Sequence, residues 1–173
     1  MTTFANAPVH TLDRRTLGDH LDRLYRAALV LTRSRDDAED LVQDTYARVL
    51  AKPRLVRGAD DLAYLMKALR NTFLSNRRTA SRRPTATVAL DDVEPIADRA
   101  ATAPETALAN HELFDAISSL PIDSRLTLVA VDVVGLSYRE AARALGTREA
   151  TLTTRLYRAR QQLARDWARD AAY

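Results

Sequence analysis

Cysteine is absent from the 173 residues, so neither a disulfide nor a thiolate metal site can form. The three histidines, His10, His20 and His111, are too scattered along the chain to suggest a ligand set. Four glycines and six prolines leave few places for tight turns or strand breaks. There is no glycine-rich phosphate loop, Cys/His pairing or metal-ligand spacing, so the common catalytic signatures are missing. A non-enzymatic protein with no metal and no cofactor is expected. No stretch approaches the roughly 18 apolar residues of a membrane helix, and Met1 to His10 lacks the basic start and apolar run of a signal peptide. The expectation is a cytoplasmic protein without membrane insertion.

What the chain does have is alanine, leucine and arginine, with apolar residues recurring at spacings of three and four. That pattern predicts an all-α fold, and 173 residues suffice for one domain or two small ones. The net charge of +3 hides a segregation along the chain. From Lys67 to Arg83 come Lys67, Arg70, Arg77, Arg78, Arg82 and Arg83 without an acid, Asp91 to Asp115 is mainly acidic, and Arg155 to Arg169 is again rich in arginine.

Three helical blocks fill the first half. The first, Asp13 to Thr32, carries the stripe Leu17, Leu21, Leu24, Ala28 and Leu31 as expected core. The second follows Ser34, with Asp36, Asp37 and Glu39 at the positive end of its dipole. It buries Ala38, Leu41, Val42, Thr45, Val49 and Leu50, leaving Asp40, Gln43, Asp44 and Ala47 on the other side. The third begins near Asp60, with Leu62, Leu65, Met66, Leu69 and Phe73 inward and Lys67, Arg70, Asn71, Arg77 and Arg78 mainly outward. The tail before Leu12 is expected to be mobile and has no assigned role.

Over 81–104 the periodicity dissolves into Pro, Thr, Ala and Asp, the composition of a flexible linker. Two small helical domains are therefore expected, 12–80 and 105–170, joined by this acidic connection. The second half resumes with a helix burying Leu108, Leu113, Phe114 and Ile117. Pro121 suits the first turn of the next, which carries Leu126, Val129, Ala130 and Val133 and stops at Gly135. Ser137 and Glu140 form a capping-box pattern, and the short helix they open ends at Gly146. The last helix has the stripe Leu152, Leu156, Ala159, Leu163 and Trp167.

The two helices around Gly146 match a helix-turn-helix, whose second helix enters the major groove. Arg148, Glu149, Thr151, Thr154, Arg155 and Arg158 lie off its apolar stripe. Arginine can donate two bonds to guanine or pair with phosphate, and threonine can touch a thymine methyl group. By spacing alone, an arginine-rich helical hairpin with a solvated face fits equally well.

The residues themselves carry a resemblance. Leu120-Pro121, Gly135-Leu136-Ser137-Tyr138-Arg139-Glu140-Ala141-Ala142, Leu145-Gly146, Thr151 and, most specifically, Arg155-Leu156-Tyr157-Arg158-Ala159-Arg160 with Leu163 resemble the C-terminal domain of extracytoplasmic-function sigma factors. Ala38-Glu39-Asp40-Leu41-Val42-Gln43-Asp44-Thr45-Tyr46 and Val49-Leu50 resemble the polymerase-binding helix of the same family. The resemblance spans about residues 17 to 165 in the expected order. It implies a sigma factor that directs core RNA polymerase to promoters. Asp40, Gln43 and Asp44 would then contact polymerase, although an acidic face is by itself more often merely solvated. Lys67, Arg70, Asn71, Arg77 and Arg78 would meet the melted minus-ten element, where a flipped base needs a pocket. The row from Arg148 to Arg158 would read the minus-thirty-five element.

Ser75 stands where the family commonly has aspartate, and Phe73 is the only aromatic expected near this base-reading segment. Ala141, Ala150 and Leu152 replace a usual isoleucine, glycine and valine, all compatible with helix. The resemblance further implies promoter DNA and an anti-sigma factor as partners. The linker acids Asp91, Asp92, Glu94 and Asp98 suit basic channels of the polymerase. The rival reading is a sigma-like regulator or anti-sigma decoy without initiation activity, against which an intact polymerase-binding motif argues.

Overall fold

A computed structural model describes residues 9–12, 17–51, 55–57, 61–82 and 104–170, and within these seven α-helices carry the architecture. Helix α1 (Leu21–Thr32) closes on Arg33, whose left-handed φ of 62° lets its N–H reach the Leu29 carbonyl at 2.9 Å. The next helix, α2 (Arg35–Ala51), starts at once, with the Ser34 hydroxyl accepting from the Asp37 N–H at 3.2 Å. The segment after α2 leads to α3 (Asp61–Arg82), so the expected third block runs two residues past 80. Helices α1, α2 and α3 pack together around Leu24, Ala28, Leu31, Leu41, Val42, Leu65, Met66 and Leu69. Thr45 belongs to this core because its hydroxyl donates to the Leu41 carbonyl at 2.7 Å, leaving only its methyl to pack.

Two short strands depart from the all-helical reading without changing the class. β1 (Val9–Thr11) pairs antiparallel with β2 (Leu55–Arg57), with His10 opposite Val56, and Leu12 just after it is buried. Residues 9–11 of the tail expected to be mobile are thus tied by backbone bonds to the connection between α2 and α3. Three-residue strands are too short to show a period of two, which is why the pattern did not reveal them.

The second half begins with α4 (Pro104–Ser119), and residues 83–103 of the expected linker lie outside the described residues. Helix α5 (Ile122–Leu128) follows Pro121 and continues into a wider π-turn, Val129–Val133, where Val134 N–H bonds to Val129 at 2.9 Å and Leu136 N–H to Ala130 at 3.1 Å. The sequence reading of one regular helix up to Gly135 missed this turn. Gly135 has φ 82° and Gly146 φ 64°, values that an L side chain would strain. Helix α6 (Tyr138–Leu145) opens with the expected capping box: the Ser137 hydroxyl accepts from the Glu140 N–H, and the Glu140 carboxylate accepts from the Ser137 N–H at 2.8 Å. Helix α7 (Glu149–Asp170) completes the chain.

Four expected core residues are exposed, and Leu62, Phe114, Val133 and Leu163 are only half-buried. Leu21 and Leu50 occupy terminal turns of their helices, where fewer neighbouring turns are available to cover a side chain. Leu113 is also exposed, while Phe114 and Ile117 beside it face inward; of Leu108 only the backbone is described. Along α7 burial fades from Leu152, Leu156 and Ala159 through half-buried Leu163 to Trp167, which is 52% exposed, because the helix runs on past the core. The two halves also pack on each other, α6 against α3 and the π-turn against α1, so their buried residues form one continuous cluster.

Candidate nucleic-acid interface

The turn at Gly146 sets α7 across α6, and the apolar stripe Leu152, Leu156 and Ala159 anchors it on α5 and α6. The side opposite that stripe carries Thr151, Thr154 and Arg158, and the start of the helix carries Arg148 and Glu149, all exposed. The Thr154 hydroxyl donates back to the Ala150 carbonyl at 3.0 Å, which turns its hydrogen inward and leaves the methyl group and an acceptor lone pair outward. Arg155 differs from the other five expected contacts: it is half-buried and paired with Asp123 of α5 at 3.1 Å. Five residues on, Arg160 donates to both carboxylate oxygens of Asp132, from Nε at 3.1 Å and from Nη2. That fork holds the guanidinium pKa above its usual value. These clamps join residues far apart in sequence, so no local pattern announced them. They add two partly exposed tethers between α7 and the module behind it.

On α3 the five expected DNA contacts separate into two sets. Lys67 and Asn71 are exposed and line a groove of about 460 Å3, closed by Tyr64, Ala68 and Thr72 of α3 and by Arg48 and Val49 of α2. Arg70 lies beside it, donating to the Asn71 side-chain oxygen at 3.2 Å. Arg77 and Arg78 sit about 10 Å further along the axis and face hollows lined mainly by the N-terminal half, to which the C-terminal half adds Ser118 and Arg125 beside Arg77 and Ile122 beside Arg78.

The aromatic expected near this segment, Phe73, is buried, with the Arg77 guanidinium 5.8 Å from its ring centre. The aromatic in the groove is instead Tyr64. It was legible in principle, since it precedes Ala68 by four and Asn71 by seven positions and so shares their helix face. Arg48 comes from another helix and left no signal in the sequence.

Asp40, Gln43 and Asp44 are exposed on one side of α2, opposite Leu41, Val42 and Thr45. Asp40 and Asp44 also edge a cleft of about 650 Å3 that runs between the two halves of the chain. Behind this face Tyr46 donates its hydroxyl to the Leu17 carbonyl at 3.0 Å, and burial pushes the phenol pKa up to about 12. Among the described residues no cluster of His, Asp or Glu could hold a metal ion, and no helix is long and apolar enough to cross a membrane.

An acidic helix face, a polar groove on a basic helix and a protruding helix-turn-helix coincide with two known regions. Residues 17–83 match the family model of Sigma-70 region 2 and residues 110–163 that of Sigma-70 region 4. The chain is 38% identical over 153 residues to ECF RNA polymerase sigma factor SigM of Mycobacterium tuberculosis, covering 84% of this chain and 72% of that protein. It is 34% identical over 140 residues to ECF RNA polymerase sigma factor EcfG of Rhodopseudomonas palustris, covering 79% of this chain and 74% of the other. Among solved structures it is similar to the sigma factor RpoE of Bartonella quintana in complex with the anti-sigma factor NepR, with a TM-score of 0.70, 29% identity, and 90% and 96% of the two chains covered. The fold alone is shared with CnrH in complex with the cytosolic domain of CnrY, at 22% identity, a TM-score of 0.63 and 91% of each chain. This chain belongs to the extracytoplasmic-function sigma factors, the proteins that bind core RNA polymerase and promoter DNA to begin transcription.

Proposed function

We propose that the three surfaces divide the work of initiation. The exposed side of α2, with Asp40, Gln43 and Asp44, docks on core polymerase. The groove of Arg48, Tyr64, Lys67 and Asn71 takes a base flipped from the minus-ten strand, with Arg70, Arg77 and Arg78 steering its phosphates. Helix α7 enters the major groove of the minus-thirty-five element through Arg148, Glu149, Thr151, Thr154 and Arg158. On this reading Arg155 supports the helix through Asp123 and reaches DNA only by giving up that ion pair.

The observation that carries the reading is the placement of the α7 row. Thr151, Thr154 and Arg158 stand exposed on the side of α7 opposite its buried stripe on α5 and α6, and Arg148 and Glu149 stand exposed at its start. The domain limits proposed are 12–80 for the polymerase and minus-ten module and 105–170 for the minus-thirty-five module. Sigma factors are initiation factors and not catalysts, and we assign this chain no bond-making step; it works wherever polymerase and DNA are, in the cytoplasm. An anti-sigma factor is proposed as partner, supported by the solved relative bound to one. A decoy without initiation activity would have no use for the exposed polymerase face of α2.

Run-off transcription with purified core polymerase on a promoter library tests the whole. Specific transcripts that appear only when this protein is added are the expected result. A polymerase that neither binds the protein nor gains promoter choice sinks it.

A further inference from the structure

Three arginines from both halves of the chain converge on the cleft between them: Arg33 after α1, Arg77 on α3 and Arg125 on α5, with Ser118 at the end of α4 beside them. Part of their bonding is internal. Arg33 pairs with Asp115, and Arg125 donates from Nη2 to the Ser118 carbonyl and, at 3.4 Å, to the Leu120 carbonyl. Those bonds leave the Nε of Arg33, the Nε of Arg125 and the hydroxyl of Ser118 buried without a partner. A buried donor without an acceptor is unfavourable, and three around one cleft call for an explanation. Burial, then the charges of Arg77 and Arg33, lower the pKa of Arg125, so the guanidinium groups oppose one another across the junction.

A multivalent anion relieves the second problem: seated among the guanidinium groups that line the cleft, it neutralises their mutual repulsion and offers acceptors to their cleft-facing N–H groups. We infer that this junction binds a small multivalent oxyanion, of the kind a pyrophosphate group carries, bridging the two halves through Arg33, Arg77, Ser118 and Arg125. The cleft, about 650 Å3, falls within the size range of small-molecule sites. Asp37, Asp40 and Asp44 also line it, but they are exposed, and their repulsion acts through screening water. Arg33 and Arg125 are half-buried, where the effective dielectric is lower and their attraction is stronger.

A ligand that contacts both halves favours the docked arrangement over any in which they separate. Arg77, Asp40 and Asp44 are in the cleft wall, so the bound anion would compete with polymerase and promoter for these groups. This consequence rests on the proposed sigma-factor surfaces; the binding site itself does not.

Titration of the full chain with inorganic pyrophosphate, against sodium chloride at matched ionic strength and without magnesium, tests the site. Saturable binding with a Kd below about 1 mM is expected. It should weaken at least tenfold in Arg125→Gln and in Arg77→Gln and stay unchanged in Arg26→Gln, whose arginine pairs with Asp22 on the outer side of α1. Arg77 is exposed, so its variant keeps the test valid if Arg125→Gln misfolds. No saturable binding, or equal binding by all variants, overturns the site.

Because the chain has no cysteine, dyes on Arg23→Cys and Arg139→Cys label one position in each half. Pyrophosphate should narrow the transfer-efficiency distribution and weaken core polymerase binding in this labelled chain, and do neither once Arg125→Gln is added. Pyrophosphate binding with unchanged polymerase affinity overturns the competition. Failure to bind polymerase even without pyrophosphate counts against the functional reading and leaves the anion site standing.

Discussion

On the proposed reading, the N-terminal and C-terminal halves present nucleic acid with opposite shapes. In the C-terminal half α7 is convex: its polar row stands out from the core, while Asp123 and Asp132 clamp Arg155 and Arg160 to the module behind. In the N-terminal half the candidate residues are concave, with Tyr64, Lys67 and Asn71 of α3 and Arg48 of α2 walling a groove. A paired duplex shows its base edges only in grooves, so a reader must project into them. An unpaired base shows its face and its pairing edge, so a reader must enclose it. On that reading, the difference teaches that one helical chain obtains both modes by changing what lies beside a basic helix: solvent in one half, a second helix in the other.

The largest expected effect concerns what both halves depend on. Reversing Asp40 and Asp44 to arginine should lower core polymerase affinity by about 100-fold or more, since like charges facing each other at an interface cost several kcal/mol. Unchanged affinity in a pull-down or anisotropy titration would reduce α2 to a solvated face.

On the convex side, Arg148→Ala and Arg158→Ala should each weaken duplex binding by about 1–3 kcal/mol if they pair with guanine. Each lowers the salt slope by about 0.9 instead if it contacts phosphate. The concave side is isolated by Tyr64→Ala, expected to lose about 1–3 kcal/mol of single-strand binding by removing a stacking surface. Upstream duplex binding should not change; if it falls equally, the division into two modes is wrong.

Smaller still is Asp123→Asn, which releases Arg155. The ion pair is partly exposed and worth no more than about 1 kcal/mol, so duplex affinity should rise by a few-fold at most. Below that lies a test of the N-terminal half alone. Tyr46 is protonated in folded and unfolded chains below pH 10, but above it the unfolded phenol ionises first, because the folded pKa is about 12. Stability should therefore fall as pH rises from 10 to 12. Tyr46→Phe should abolish that Tyr46-linked fall at a cost of about 1 kcal/mol for the lost bond to Leu17, measurable by denaturant melts across the range.

Much of this was legible before any coordinates, for local physical reasons. The Ser137–Glu140 capping box, the left-handed glycines at 135 and 146 and the stripe of Leu152, Leu156 and Ala159 each depend on residues within one or two turns. Candidate residues on single helices, Asp40, Gln43 and Asp44 or Arg148 and Arg158, were found by the same means. What local pattern missed joins distant segments or interrupts a regular repeat. Arg48 reaches the Asn71 groove from another helix, Asp123 finds Arg155 from a separate helix, and the turn at Val129–Val133 breaks the helical period. Leu21, Leu50 and Trp167 show the other failure: periodicity names the side of a helix, but not how far along it the neighbours extend.

The sequence by itself determined the helices, their caps, their inner sides and the family to which the chain is similar, because backbone hydrogen bonding and side-chain periodicity are short-range. Only the tertiary structure decided that Tyr64 and not Phe73 faces the groove and that Arg155 is committed to Asp123. It also decided that Arg33, Arg77 and Arg125 meet at one cleft. Each of those facts depends on which elements pack side by side, and packing is set by the fit of whole surfaces that no stretch of neighbouring residues contains.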